Sequence, residues 1–415
     1  MPISPEILGQ RLRSAREAVG LTQESSAAAL ELSRPAISEL EAGRRRVSSL
    51  ELARLAQLYG REATELLAPA FSEADPLRAL FRAQPSLELN DELRQILLAW
   101  RHRARALTDL EAKLELPRRL CTAGQYPGNA LSSRWDAIQQ GERLAEEERA
   151  RLGLGRAPAP ELPMLLESQG VRTALVPLPD DISGLTLQER AQDLMILVNA
   201  GHATTRHRFS FAHEYAHVLI DRERGSIVSR AGDRDELIEM RANSFAAGFL
   251  MPPDGVIEFV RELGKGRGSR DSAMVFDESL GSPLRVEGRA APGSQDLQTY
   301  DAELAARYFG VSRIAMIYRF KTLGLIKQPH LEALRAAEEL RWQVEIEQEK
   351  QQPRASSSDL TAFQQRFRTT ALEAYRREII SRGKLVELGH LIELREVAMA
   401  ALLADAASMD QEADS

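Results

Sequence analysis

The run Phe211-Ala212-His213-Glu214-Tyr215-Ala216-His217 constrains this chain more than any other feature. Histidines four residues apart stack on one face of a helix, so both imidazoles can address a single ion. Glu214 is rotated one residue further round, where its carboxylate reaches a metal-bound water without being a ligand. Two neutral nitrogen ligands, an open position and an adjacent general base make up a zinc centre for peptide hydrolysis, in which the bound water has a pKa of roughly 7. Ala212, Tyr215, Ala216, Val218, Leu219 and Ile220 make the helix largely apolar, which predicts that it is buried. Burying two histidines and a glutamate without a metal would be costly. Such a centre requires a third ligand, and the downstream acids Glu239, Glu236 and Asp235 are the candidates. His202 and His207 lie just upstream, and either His207 or Tyr215 could contact the substrate or its transition state. Ordinary hydrogen bonding for His202 and His207, and packing for Tyr215, are the competing readings.

Around this run the chain divides by its punctuation. It has 415 residues, 43% of them hydrophobic, which is enough for more than one core. The abundance of Ala, Leu, Glu and Arg favours helix. The fold class expected is mainly α with a small β-sheet: an all-α N-terminal domain, a zincin-like peptidase domain and a helical C-terminal region. A helical connecting module is expected over 69–160, with one long helix through Leu97, Leu98, Trp100, Leu107, Leu110 and Leu114, a break near Pro117 and Pro127, and a second helix from Glu142 to Arg151. The peptidase domain is placed at 161–263. In it, Val171 to Leu178 and Leu194 to Val198 read as strands, and 208–221 is the helix bearing the histidines. Residues 264–330 complete that domain, with a poorly periodic loop or lid over 264–295. A helix-turn-helix shape follows over 304–323, in which Tyr308, Phe309, Val311, Ile314, Ile317 and Tyr318 are read as packed. Residues 331–415 are helical, broken by the polar stretch 351–358, with the last helices ending near Leu403 and an acidic tail from Asp405.

A net charge of −7 excludes a chain that coats nucleic acid along its length, so any DNA binding must be local. The lone Cys121 excludes a disulfide framework and a cysteine-based zinc site. With neither an apolar N-terminal signal segment nor a long apolar run, the chain is expected in the cytoplasm and not on a membrane.

Residues 1–68 read as a succession of short helices. Gly20 and Gly43 close the first and third, Thr22 and Ser33 cap the second and third, and Ser48 with Glu51 forms a capping box for the fourth. Leu21-Thr22-Gln23 and Leu32-Ser33-Arg34-Pro35-Ala36-Ile37-Ser38-Glu39-Leu40-Glu41-Ala42-Gly43 resemble the XRE (Cro/CI-type) helix-turn-helix family. The resemblance implies that the third helix enters the major groove of operator DNA. Ile37 and Leu40 would face the core, with Ser33, Arg34, Pro35 and Ser38 outward. Gln23 and Ser38 suit phosphate or base contacts, Arg34 a bidentate contact to guanine, and Arg44, Arg45 and Arg46 phosphate neutralisation. A protein-interaction module is the alternative for this unit.

His213 to His217, followed by Glu239-x-x-Ala242-Asn243-x-Phe245-Ala246-Ala247 and Leu250-Met251-Pro252, resembles the ImmA/IrrE family of zinc metallopeptidases over about Leu165 to Ile326. That family's pattern carries a glutamate ligand three residues before the Ala-Asn pair, which falls on Glu239. The chain departs from many relatives at Tyr215-Ala216, where they have Leu-Gly, and this leaves the ligands untouched. The resemblance implies a zinc-dependent endopeptidase that cleaves or inactivates a repressor-type protein in stress, mobile-element or defence regulation. Fused to a DNA reader, it would act as a regulator, and the two-fold symmetry of operators implies a homodimer. The alternatives are a transcription factor whose zincin domain senses a ligand or partner without proteolysis, or an antitoxin whose C-terminal helices hold a toxin.

Overall fold

The computed structural model describes residues 3–61, 63–69, 71, 91–116, 122–128, 130–190, 193–224, 227–230, 232–233, 236–265, 271–277, 282–288, 293–349 and 361–413. Pro117, Cys121, Asp235 and the polar stretch 351–358 lie outside the described residues. The protein is mainly helical with a small four-stranded sheet, as expected.

The N-terminal helices are α1 (Pro5–Ala18), α2 (Gln23–Ala29), α3 (Arg34–Glu41), α4 (Ser49–Leu58) and α5 (Ala63–Leu67). Their starts are set by side chains that satisfy otherwise orphaned backbone N–H groups. Thr22 and Ser48 form capping boxes with Ser25 and Glu51, and Ser33 accepts from the Ala36 amide. Leu12, Ile37, Leu40, Leu55 and Tyr59 fill one core between them. Gly9 lets α1 touch α3, since a Cβ there would lie 2.6 Å from the Leu40 and Glu41 carbonyl oxygens.

The sheet has strand order β1 (Val171–Val176), β3 (Asp193–Asn199), β2 (Ile182–Arg190), β4 (Ile227–Arg230). β1 runs parallel to β3, and β2 is antiparallel to both β3 and β4. Alternating residues of β3 serve two cores. Leu194, Ile196 and Val198 pack toward the histidine helix (Thr204–Ile220), while Met195 and Leu197 pack into a second core on the opposite face.

That second core is closed by elements far apart in sequence, the helix Asp91–Lys113 and the C-terminal helices Ala362–Arg376, Arg382–Leu391 and Glu396–Ala413. Trp100 meets Phe363 edge-on at 5.3 Å between ring centroids, and Arg366 bonds both Glu111 and Glu167. On the first face, the helix Arg134–Arg151 lies against the helix Leu237–Leu250 so closely that a Cβ at Gly141 would stand 2.4 Å from the Arg241 carbonyl oxygen.

Three expectations need correction. The segment expected as an irregular loop over 264–295 contains an antiparallel hairpin, Asp271–Asp277 with Ser282–Gly288. The last helix runs to Ala413 instead of ending near Leu403. In the second helix-turn-helix shape, Thr299–Phe309 and Arg313–Thr322 flank the left-handed Gly310. Phe309, Val311 and Ile317 are packed, but Tyr308, Ile314 and Tyr318 are exposed. Among the described residues, no helix is long and apolar enough to cross a membrane.

Candidate metal centre and DNA-reading face

The histidine helix lies on the sheet beside the helix Leu237–Leu250, and Glu239 in the first turn of the latter meets both histidines. Nε2 of His213 is 3.0 Å from Glu239 Oε2, Nε2 of His217 is 3.3 Å from Glu239 Oε1, and the two Nε2 atoms are 3.3 Å apart. All three residues are buried. Zinc bonds of about 2.0–2.2 Å at tetrahedral angles place ligand atoms roughly 3.3–3.5 Å apart. The donor set and its spacing therefore fit a tetrahedral divalent metal. Of the competing acids, Glu236 is the exposed residue preceding the helix.

A second ring of groups orients these ligands. Asn243 Oδ1 is 3.0 Å from His213 Nδ1, and Asp221 Oδ2 is 2.9 Å from His217 Nδ1. A proton on each Nδ1 facing its oxygen partner would leave Nε2 for a metal. Arg241 holds the other Asp221 oxygen at 2.6 Å. Burial lowers the His217 pKa, but its bonds to Asp221 and Glu239 outweigh it and raise the metal-free value to about 10. Burial raises Glu239, but hydrogen bonds from both imidazoles dominate and bring it to about 2. Asp221 is likewise raised by burial and lowered more by His217 and Arg241.

Glu214 has no exposed surface. Its Oε2 accepts a 2.8 Å hydrogen bond from the Thr186 hydroxyl, while Oε1 has no partner among the described residues. Burial pushes its pKa upward against the opposing influence of the two imidazoles. A buried carboxylate with a raised pKa and one free oxygen is equipped to accept a proton.

The other candidates stand apart from the ligand cluster. Tyr215 is buried between Phe245 and Phe249, and its hydroxyl donates to Glu148 at 2.5 Å. Glu148 also accepts from Tyr126 and binds Arg151, so Tyr215 belongs to a buried network that ties the histidine helix to Arg134–Arg151. His207 lies two turns before His213 and lines a cavity of about 1630 Å³ with residues of the C-terminal helices such as Gln364 and Arg368. Burial lowers the pKa of both His202 and His207.

At the N-terminal domain, Ser33, Arg34 and Pro35 are exposed at the start of α3, and Ser38 is half-buried one turn on. Arg44 and Arg46 are exposed, whereas Arg45 is paired with Glu51 at 2.6 Å. Gln23 is also engaged: its amide donates to Glu41 at 2.9 Å, and Glu41 forms a buried bidentate pair with Arg16 at 2.5 and 3.0 Å. Arg34 at the start of α3, and Arg44 and Arg46 just after its end, thus present cations to solvent.

Family comparison assigns both regions. Residues 166–268 match the IrrE N-terminal-like domain. Residues 7–68 match a helix-turn-helix domain. The chain therefore joins a DNA-binding module to an IrrE-like, metallopeptidase-type domain. Comparison with curated proteins and with solved structures returned no match. The matched IrrE-like segment contains the His213, His217 and Glu239 cluster, but it begins after the helices 91–113 and 134–151 that cover the sheet and the Glu239 helix.

Sequence reasoning did not anticipate Thr186, Asp221, Arg241 or Asn243, nor Ser229, whose hydroxyl lies 3.2 Å from His213 Nε2. Asn243 and Asp221 carried a usable signal. Asp221 follows His217, which it supports, by one turn, and Asn243 follows Glu239 by one turn and so shares its helix face while supporting His213.

Proposed function

We propose that this protein is a DNA-binding transcriptional regulator whose IrrE-like domain is a zinc-dependent endopeptidase that cleaves or inactivates a repressor-type protein. The observation that carries this reading is the convergence of His213, His217 and Glu239 beside a buried Glu214 with one unbonded oxygen. His213, His217 and Glu239 would hold the ion. When bound, zinc acidifies a water and polarises the peptide carbonyl. Glu214 accepts the proton released from the attacking water and returns it to the leaving amine. Asn243 and Asp221 hold the imidazole tautomers, and burial excludes bulk water from the cluster.

Operator binding is assigned to Ser33, Arg34, Pro35 and Ser38 on α3, with Arg44 and Arg46 on adjacent phosphates. In the free protein Gln23 and Arg45 are held by Glu41 and Glu51. Their contacts to DNA would require exchange of those partners.

The test compares wild type with Glu214→Gln. Purified protein of both kinds is expected to hold about one zinc by elemental analysis. In cells carrying the variant, a repressor-type protein should accumulate uncleaved, with the wild type producing its fragments. Unchanged protein profiles together with intact operator control in the variant would refute proteolysis and leave regulation without cleavage.

A further inference from the structure

Two residues of β2 face Glu214 and have no role in ligand binding. Gly184 and Thr186 are two positions apart and so lie on the same side of the sheet. They stand opposite Val198 and Ile196 of β3, which belong to the core on the histidine-helix side. Thr186 is 3% exposed. Its hydroxyl lies 2.8 Å from Glu214 Oε2 and 3.3 Å from the Glu214 carbonyl oxygen. A hydroxyl has a single proton, and the shorter contact to the carboxylate is the stronger acceptor.

Gly184 acts on the other oxygen. A Cβ at this position would lie 2.8 Å from Glu214 Oε1, closer than real Cβ atoms approach, and 3.0 Å from its Cγ. The same point lies 3.1 Å from the carbonyl oxygen of Leu197 on the neighbouring strand, so a Cβ there would be crowded from both sides. β2 therefore pins one carboxylate oxygen and keeps space around its mate. The final torsion of a glutamate is broad and nearly two-fold, so an unpinned carboxylate would spread its lone pairs over many directions. Proton transfer requires an acceptor aimed within about 2.6–3.2 Å.

We propose that Thr186 and Gly184 are positioning residues that select Oε1 of Glu214 as the proton-accepting oxygen. The inference rests on the reading of Glu214 as the general base. One O–H bond of the attacking water breaks and one forms at Oε1, while Thr186 keeps its own proton throughout. The pair acts through Glu214 and touches neither the substrate nor the ion.

The experiment uses the full-length chain stripped of metal and loaded with Co²⁺, whose visible absorption reports ionisation of a bound water. The midpoint of its pH titration is measured for wild type, Glu214→Gln, Thr186→Val, Thr186→Ser and Gly184→Ala, with cobalt stoichiometry determined for each. Thr186→Val should displace the midpoint from the wild-type value by about one pH unit, the shift expected for a lost charge-assisted hydrogen bond. Thr186→Ser should titrate as wild type. Gly184→Ala leaves Thr186 in place but crowds Oε1, and should also displace the midpoint, which keeps the proposal testable if Thr186→Val fails to bind cobalt. A wild-type midpoint in Thr186→Val or Gly184→Ala, beside a displaced one in Glu214→Gln, overturns the positioning role. So does a displaced midpoint in Thr186→Ser, which would point to packing instead of hydrogen bonding. If Glu214→Gln itself titrates as wild type with full cobalt loading, the general-base reading fails first, and that outcome is distinct from the others.

Discussion

The candidate metal centre and the candidate DNA-reading face organise polar groups in opposite ways. At His213, His217 and Glu239 every ligand is buried and cross-bonded, with Asn243 and Asp221 behind them. Arg34 at the start of α3, and Arg44 and Arg46 just after its end, stand in solvent. Polar groups taken out of water must be partnered in the fold itself, so the first site is assembled before its ligand arrives. Exposed cations have no such requirement, and their arrangement becomes specific only against phosphates and base edges. The N-terminal domain nevertheless contains one buried ion pair, Arg16 with Glu41, which behaves like the metal centre.

The largest expected effect tests this contrast at its buried end. Glu239→Ala removes the carboxylate between two buried imidazoles, and breaking such a cluster costs about 3–5 kcal/mol. Metal-free protein carrying it should show a lower melting temperature by calorimetry, and elemental analysis should find no zinc. A variant as stable as wild type would mean that the cluster contributes nothing before metal arrives. Arg16→Ala should destabilise the helix-turn-helix domain by a similar amount, read by denaturant unfolding of the full chain.

Acidity separates folding from metal binding at the same centre. The pKa of His217 is raised to about 10 in the metal-free fold, above its ordinary value of 6.5. Its contribution to stability is therefore fully present below about pH 6.5 and is lost as pH rises toward about 10. Metal binding must displace that proton, so zinc affinity should move the opposite way, rising about tenfold per pH unit over the same window. Competition titrations and melting curves on one preparation measure both trends, and trends of the same sign would remove His217 from the ligand set.

The smallest effects on stability belong to the exposed face. Arg34→Ala should change stability by less than about 0.5 kcal/mol yet cost about 1–3 kcal/mol in operator binding by fluorescence anisotropy. Arg44→Ala and Arg46→Ala should each lower the salt dependence of binding by about one unit of slope. A large loss of stability in any of the three would collapse the distinction between the two regions.

Much of the candidate metal centre was legible because its residues lie at helical spacings within two segments. His213 and His217 are one turn apart, and the capped starts of α2, α3 and α4 are likewise local signals. Glu239 was reached partly by resemblance, since nothing local distinguishes it from Glu236. The strand β2 escaped notice because a register shift between Ile182 and Gly184 breaks its alternation, so Ile182 and Leu185 face the same core although three residues apart. β4 has only Ile227 to Arg230, too short for periodicity to register. The hairpin at 271–288 was obscured by its Gly, Ser and Arg content and by exposed Met274 and Phe276, which carry no inward pattern.

Sequence by itself determined the helical caps and the two-histidine face, because each depends on residues within a few turns of one another. Tertiary structure alone decided which oxygen of Glu214 is bonded, which side chain supports His213, and that helices 91–113 and 362–413 close one core over the sheet. Those outcomes depend on β2, β4 and the C-terminal helices arriving beside residues up to 290 positions away, as Arg103 does with Glu393. Packing of that range leaves no periodic trace in a single chain.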